Sequence, residues 1–280
     1  MQAPIIVLNG KPIDLATPVV MAIVNATPDS FWTESRSTTE QSLMAHVDRA
    51  VADGAAIIDV GGCSTRPLAD FPSEEEEWQR VSWALTVIRR KYADLPLSVD
   101  TFRASVAERA VGEFGVALVN DVSGGCMDEK MLPTVAWLQV PYVLTHAYGF
   151  PNMQQTLPDD EKFLPSVLRY FAQKIAELRA LGFDKEIIID PGFGFGKTLE
   201  QNWSLLRNLK LFEVFNSPIL AGLSRKSMLC KPLGITPDDA LNATTAANML
   251  ALQGGAHILR VHDVKEAVQT IKIAERFLII

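Results

Sequence analysis

The sequence predicts an α/β fold: a TIM (β/α)8 barrel that takes residues 1-280 as a single domain and opens with an N-terminal β-hairpin. Three observations predict it. Eight short apolar runs each end in polar residues, longer segments with helical spacing separate them, and the chain has 280 residues, near the roughly 250 such a barrel uses. Near-continuous apolar strands separated by helices belong to a parallel sheet covered on its faces, and eight such units favour closure. An open doubly wound sheet is the runner-up. That fold usually has fewer repeats, and no G-x-G-x-x-G follows the first run here.

The elements follow in order. Between Ile5 and Leu15, Asn9-Gly10 separates two short apolar stretches, the strongest short-range signal for a hairpin. The eight runs are VVMAIVN (19–25), AIIDVGG (56–62), PLSVD (96–100), VALVND (116–121), PYVLTH (141–146), EIIID (186–190), PILAG (218–222) and AHILRVHD (256–263). Helical spacing shows in Leu43, Val47, Ala50 and Val51 after the first run, and in Val167, Leu168, Phe171, Ile175 and Leu178 after the fifth. Ser73 followed by Glu74 to Glu77 is read as a capping box with acids at a helix N-terminus, not as a functional acidic cluster. Gly196-Lys197-Thr198 resembles the end of a P-loop, but the position five before Gly196 is Pro191, which argues against a nucleoside triphosphate site. His46 and His257 fall in a helix pattern and at a strand start, where surface or packing roles are more common than catalysis, and neither is assigned a function.

Composition narrows the function classes. With 48% hydrophobic and 21% charged residues the chain can bury a large core. It has no apolar run of the ~20 residues that a membrane helix needs and no signal-peptide pattern at its start, so a cytoplasmic protein is expected. Cys63, Cys126 and Cys230 form no CxxC pair and are expected to be free thiols. A net charge of −7 disfavours nucleic acid and anionic membranes, so an anionic small substrate needs a local basic cluster.

Active sites of such barrels lie at the C-terminal face, which makes the strand ends informative. They carry Asn25, Asp59, Asp100, Asn120 with Asp121, His146, Asp190, Ser224-Arg225-Lys226, and Arg260 with His262. One such residue could be a helix cap, but eight ends meeting on one rim need another explanation. The set divides by chemistry. Asp100, Asn120 and Asp190 offer hydrogen-bonding groups for a neutral heterocycle rich in N–H and C=O. Arg66, Arg225, Lys226, Arg260 and His262 suit an anion, and barrel phosphate sites favour the region of the seventh and eighth strands. Magnesium is a plausible cofactor, because it takes few protein ligands and borrows the rest from water and phosphate, with Asn25 as the candidate ligand. No triad order and no base beside Cys63 invite covalent catalysis.

Taken together, these segments resemble the dihydropteroate synthase family over essentially the whole chain. The matching phrases are Asn25-Ala-Thr-Pro-Asp-Ser-Phe31, Asp59-Val-Gly-Gly-Cys-Ser-Thr-Arg-Pro67, Ser98-Val-Asp-Thr101, Asn120-Asp121, Asp190-Pro-Gly-Phe-Gly-Phe-Gly-Lys-Thr198, Ser224-Arg-Lys-Ser227 and Arg260-Val-His-Asp263. The resemblance implies that a dihydropterin bearing a hydroxymethyl pyrophosphate reacts with p-aminobenzoate, giving dihydropteroate and pyrophosphate in folate biosynthesis. It implies that Asp100, Asn120, Asp190 and Lys226 hold the pterin with Arg260 stacked against it. Asn25, Arg66, Arg260 and His262 hold pyrophosphate, with magnesium at Asn25. Phe31, Thr65, Arg66, Pro67 and Ser227 shape the p-aminobenzoate site. The implied catalytic set is Asp100, Asp190, Lys226 and Arg66, and the implied assembly is a homodimer that binds pterin first and is a target of sulfonamides.

Three departures from the family pattern stand out. Trp32-Thr33-Glu34-Ser35-Arg36 replaces a common Ser-Asp-Gly-Gly after Phe31, so Thr33 stands at the usual acid and Glu34 is a candidate substitute. Cys63 stands where glutamate is frequent, and Thr145 precedes His146 where methionine is frequent. Two other functions compete: a pterin-binding methyltransferase of the methyltetrahydrofolate and corrinoid type, which leaves Ser-Thr-Arg-Pro and Ser-Arg-Lys unexplained, and an inactive pterin-binding paralogue.

Overall fold

In the computed structural model the described residues are 4–26, 36–63, 71–148 and 160–278. Strands β1 (Ile5–Leu8) and β2 (Lys11–Asp14) form the expected antiparallel hairpin, with Ile5 opposite Asp14 and Leu8 opposite Lys11. Asn9 and Gly10 have φ of 50° and 74°, the left-handed pair that a two-residue turn of matching twist requires. Then strand and helix alternate: β3 (Val19–Asn25), α1 (Arg36–Ala52), β4 (Ile57–Gly61), α2 (Glu74–Lys91), β5 (Leu97–Asp100), α3 (Ala104–Phe114), β6 (Leu118–Asp121), α4 (Met131–Leu138), β7 (Tyr142–Thr145), α5 (Asp160–Ala180), β8 (Ile187–Asp190), α6 (Leu199–Arg207), β9 (Leu220–Ala221), α7 (Ser227–Leu233), α8 (Leu241–Gln253), β10 (Ile258–Val261) and α9 (Val264–Leu278).

The 8-stranded parallel sheet runs in the order β8-β7-β6-β5-β4-β3-β10-β9. A bridge between Ile189 and Ile219, with the Ile189 N–H donating to the Pro218 carbonyl at 2.8 Å, joins its two edges and closes the barrel. The seventh strand is shorter than the run 218–222 and starts only at Leu220, since Pro218 has no N–H for the ladder and the Ile219 N–H goes to the His257 ring.

Period-two alternation decides what each strand residue faces. Ile58, Val60, Val99, Val119, Leu144, Ile189 and Leu259 belong to the core between sheet and helices. Their neighbours Ile57, Leu118, Val143, Ile188 and Ile258 fill the barrel interior in a separate cluster. Ile6, Leu8 and Leu15 of the hairpin segment pack on that same interior cluster and cover the N-terminal end of the barrel. Two residues further along the strands, the inward positions become Asp59, Asn120, Asp190 and Arg260. The register confirms the level, with Asp100 beside both Gly61 and Asn120.

The local signals behave as read. Ser73 caps α2 reciprocally with Glu76, and Thr198 caps α6 reciprocally with Gln201, so the P-loop lookalike is a helix start. His46 Nε2 meets the Ile23 carbonyl at 3.1 Å, and His257 Nδ1 accepts from the Ile219 N–H at 3.2 Å. Glu77 departs from its neighbours. Although it lies in the first turn of α2, it is fully buried and paired with Arg103 and the Thr101 hydroxyl. Among the described residues no helix is long and apolar enough to cross a membrane.

Candidate active site

The inward polar residues form one bonded network. Asp59, fully buried on β4, accepts from Asn120 Nδ2 at 2.9 Å and from Arg260 Nε at 2.7 Å through the same oxygen. Arg260 also pairs with Asp100 through Nη2. Asn120, Asp100 and Arg260, from β6, β5 and β10, are thus brought together by Asp59, a strand-end residue to which sequence reasoning gave no role. Its inward alternation was the available signal. Asp59 Oδ1 is buried with no hydrogen-bond partner among the described residues, and such an acceptor generally needs a ligand or a water.

Burial pushes the Asp100 carboxyl up to about 7, Arg260 pulls against it, and Asp59 adds to the rise. Arg260 is held firmly protonated: burial opposes its charge, but Asp59 and Asp100 more than offset that. The guanidinium is therefore a fixed cation at the boundary between the acidic and basic parts of the rim.

Opposite, Asp190 closes β8 and accepts the Gly192 N–H at 2.8 Å. Burial raises its carboxyl, while Gly192, Lys226 and Lys197 lower it. Lys226, at the N-cap of α7, donates to the Phe193 carbonyl at 2.6 Å and lies 4.1 Å from the Phe195 ring centroid. Burial pulls its ammonium down to about 8, with Asp190 opposing. Gly192, Gly194 and Gly196 all have positive φ, and at Gly192 a side chain would overlap the His146 carbonyl. The segment from Asp190 to Lys197 is an arch pressed against the end of β7.

Placement separates the predicted basic residues. His262 Nδ1 meets Ser224 Oγ at 2.9 Å on the rim, and burial, with Arg260 adding to it, pulls the ring down to about 4, so it stands there as a neutral imidazole and not as a cation. Arg225 does not join it. Its guanidinium grips both oxygens of Asp263, at 3.0 and 2.8 Å, and donates to the carbonyls of Pro237 and Asp238. Its place in the anion-holding set is therefore corrected, because all three of its guanidinium nitrogens are engaged, whereas Arg260 gives only Nε and Nη2 to carboxylates among the described residues. Asp121 likewise serves structure: it accepts from the Ser123 N–H and hydroxyl, the Gly125 N–H and the Tyr142 hydroxyl. His146 is buried with its ring edge-on to Tyr148 and Tyr170, and burial pulls it down to about 2, so it is a neutral packing residue. Burial pushes the Cys63 thiol up to about 12, which keeps it from acting as a nucleophile.

Asn25 ends β3 beside Gly61, and Ser227 is the exposed first residue of α7. Phe31, Glu34, Thr65, Arg66 and Pro67 lie outside the described residues. No group of three or more His, Cys, Asp or Glu among the described residues is arranged to hold a metal ion. A single amide such as Asn25 fits only an ion that takes most of its ligands from water and phosphate, as magnesium does.

A family model described as "Pterin binding enzyme" matches residues 21–262. The dihydropteroate synthase of Escherichia coli (strain K12) is 39% identical over 268 residues, covering 95% of this chain and 94% of that protein. The dihydropteroate synthase of Bacillus subtilis (strain 168) is 37% identical over 278 residues, covering 97% and 94%. Among solved structures, the Yersinia pestis dihydropteroate synthase in a sulfonamide drug complex matches with TM-score 0.89 and 35% identity, over 99% of this chain and 100% of that one. The Xanthomonas albilineans dihydropteroate synthase with 4-aminobenzoic acid matches with TM-score 0.88 and 38% identity, over 99% of both chains.

Proposed function

The chain belongs to the dihydropteroate synthase family of pterin-binding enzymes, and from that membership we propose how its rim performs the reaction. The enzyme condenses 6-hydroxymethyl-7,8-dihydropterin pyrophosphate with p-aminobenzoate and releases pyrophosphate, in folate biosynthesis. The observation that carries the mechanism is the Asp59-centred network, which sets a fixed cation between a heterocycle-binding half and an anion-binding half of one rim.

Asp100, Asn120 and Asp190 pair with the N–H and C=O groups of the pterin, and Lys226 donates to a ring acceptor. Arg260, with His262 beside it, faces the pyrophosphate. The exocyclic C–O bond breaks first and its electron pair leaves with pyrophosphate, in an SN1-like displacement. The methylene carbon then carries positive charge shared with the ring. Carboxylates on the ring's N–H groups stabilise that charge, while the cationic side stabilises the leaving anion. The aryl amine attacks, the C–N bond forms, and the amine proton is lost afterwards, so no strong base is needed. Held orientation supplies the rest.

Arg66 assists the leaving group and, with Phe31, Thr65, Pro67 and Ser227, shapes the p-aminobenzoate site, where sulfonamides would compete. Asn25 would help hold Mg2+, which would neutralise charge on the pyrophosphate. We also propose that the protein is a cytoplasmic homodimer. Leu250 on α8 and Ile273 and Phe277 on α9, 47%, 65% and 64% exposed, are apolar side chains that a second copy would cover.

The test is pyrophosphate release from the activated pterin with and without p-aminobenzoate. Release that requires the amine, with dihydropteroate formed in equal amount, is the expected result. Release independent of the amine would overturn the reading, binding without turnover would indicate an inactive paralogue, and methyl transfer from methyltetrahydrofolate would indicate the corrinoid-type enzyme.

A further inference from the structure

Lys197 is the residue most easily passed over, since in sequence it completes a false P-loop. Its ammonium donates to three backbone carbonyls: Gly192 at 2.7 Å, His146 at 2.8 Å and Phe195 at 3.3 Å. Two of these belong to the arch after β8 and one to the end of β7. An ammonium has three N–H donors and a neutral amine has two, so the charged form alone satisfies all three acceptors. The arch is packed onto this group, for a Cβ at Gly192 would lie 3.1 Å from Lys197 Nζ.

The same arch carries the contacts that orient the substrate-facing residues. Its Gly192 N–H bonds Asp190, its Phe193 carbonyl receives Lys226, and its Phe195 ring lies beneath the Lys226 ammonium. Phe195 also bonds back to Tyr148 and Gly192 through the backbone, at 3.3 and 3.2 Å. Burial pulls the Lys197 ammonium down to about 7, and Asp190 opposes this, so the two buried charges support one another.

We propose that Lys197 is a positioning residue, a built-in cation that ties the end of β7 to the glycine arch and thereby sets Asp190 and Lys226 for the pterin. This rests on the pterin-binding reading above for its consequence, but not for the cation site itself. A side chain that stands in for a bound cation makes a specific demand: once the stem is removed, potassium or ammonium, which match the size of the –NH3+ group, should restore the arch.

The test uses the full-length protein with Lys197→Ala and Lys197→Met, in potassium, ammonium or choline chloride at equal ionic strength. Lys197→Ala should bind dihydropterin pyrophosphate about tenfold or more weakly in choline, and ammonium or potassium should recover most of that loss. Lys197→Met, whose stem fills the space, should show the same loss with no recovery. Wild type should be indifferent to the cation. The melting temperature of Lys197→Ala, measured without any pterin, should rise in ammonium or potassium over choline. Wild-type affinity in both variants, or a loss in Lys197→Ala that is equal in all three salts, would overturn the proposal. Should Lys197→Ala fail to fold, near-wild-type affinity in Lys197→Met overturns the proposal and the loss supports it. A wild type that bound no pterin would defeat the functional reading instead, and the melting comparison would still decide the cation site.

Discussion

Arg260 Nε donates to Asp59 Oδ2 across 2.7 Å, joining β10 to β4 over the intervening β3. The same oxygen takes the amide of Asn120 at 2.9 Å. Asp59→Asn keeps the size and removes the charge on which both bonds depend. Hydrogen bonds to charged groups contribute about 1.5–3 kcal/mol, so pterin pyrophosphate should bind about 10–100-fold more weakly. Titration calorimetry measures this, and unchanged affinity would remove Asp59 from the binding network.

The pH dependence of kcat/KM for the pterin substrate should be bell-shaped. Asp100 must be a carboxylate to accept a ring N–H, and it is pushed up to about 7, so activity rises as the pH passes that value. Lys226 must be protonated to donate, and it is pulled down to about 8, so activity falls above that. These limbs report the free enzyme. Lys226→Arg, whose guanidinium keeps its proton, should move the falling limb to higher pH whatever its effect on the maximum. A falling limb left in place would assign it to another group.

Glu77 and Arg103 form a buried pair, with side-chain exposures of 0% and 16%. Breaking such a pair from one side leaves a desolvated charge and costs about 3–5 kcal/mol. Glu77→Ala should lower the free energy of unfolding in urea by that amount. Arg103 also donates to the Pro72 carbonyl and Arg80 to the Gly62 carbonyl, so the damage should extend to the chain on either side of residues 64–70. A loss under ~1 kcal/mol would mean that the pair is merely tolerated.

Arg225→Met tests whether Arg225 stands outside the anion site. The Arg225 fork is occupied by Asp263, so inhibition by added pyrophosphate should stay within about twofold, while stability falls by about 1 kcal/mol. A large loss of pyrophosphate affinity would return Arg225 to the anion site.

Much of this site could be read from strand periodicity. Asn120, Asp190 and Arg260 each stand two residues beyond an inward apolar residue, Leu118, Ile188 and Ile258, so the alternation that builds the interior also delivers polar groups to its rim. What periodicity cannot supply is the partner of a loop residue. Arg225 follows a strand of only two residues, Leu220–Ala221, and its orientation is set by Asp263, 38 positions away. Lys197 was hidden for the opposite reason: a reciprocal cap on Thr198 explains its neighbours completely, and the carbonyls it gathers come from backbone geometry that no side-chain pattern records. Glu77 reads in sequence as part of an acidic helix start, although its three neighbours in the run carry that role without it.

The hairpin under the barrel bears on traffic as well as on packing. With Ile6, Leu8 and Leu15 driven into the lower interior, the barrel has a floor at its N-terminal end. Under the proposed function, pterin binding and pyrophosphate departure therefore both take place at the opposite, polar end.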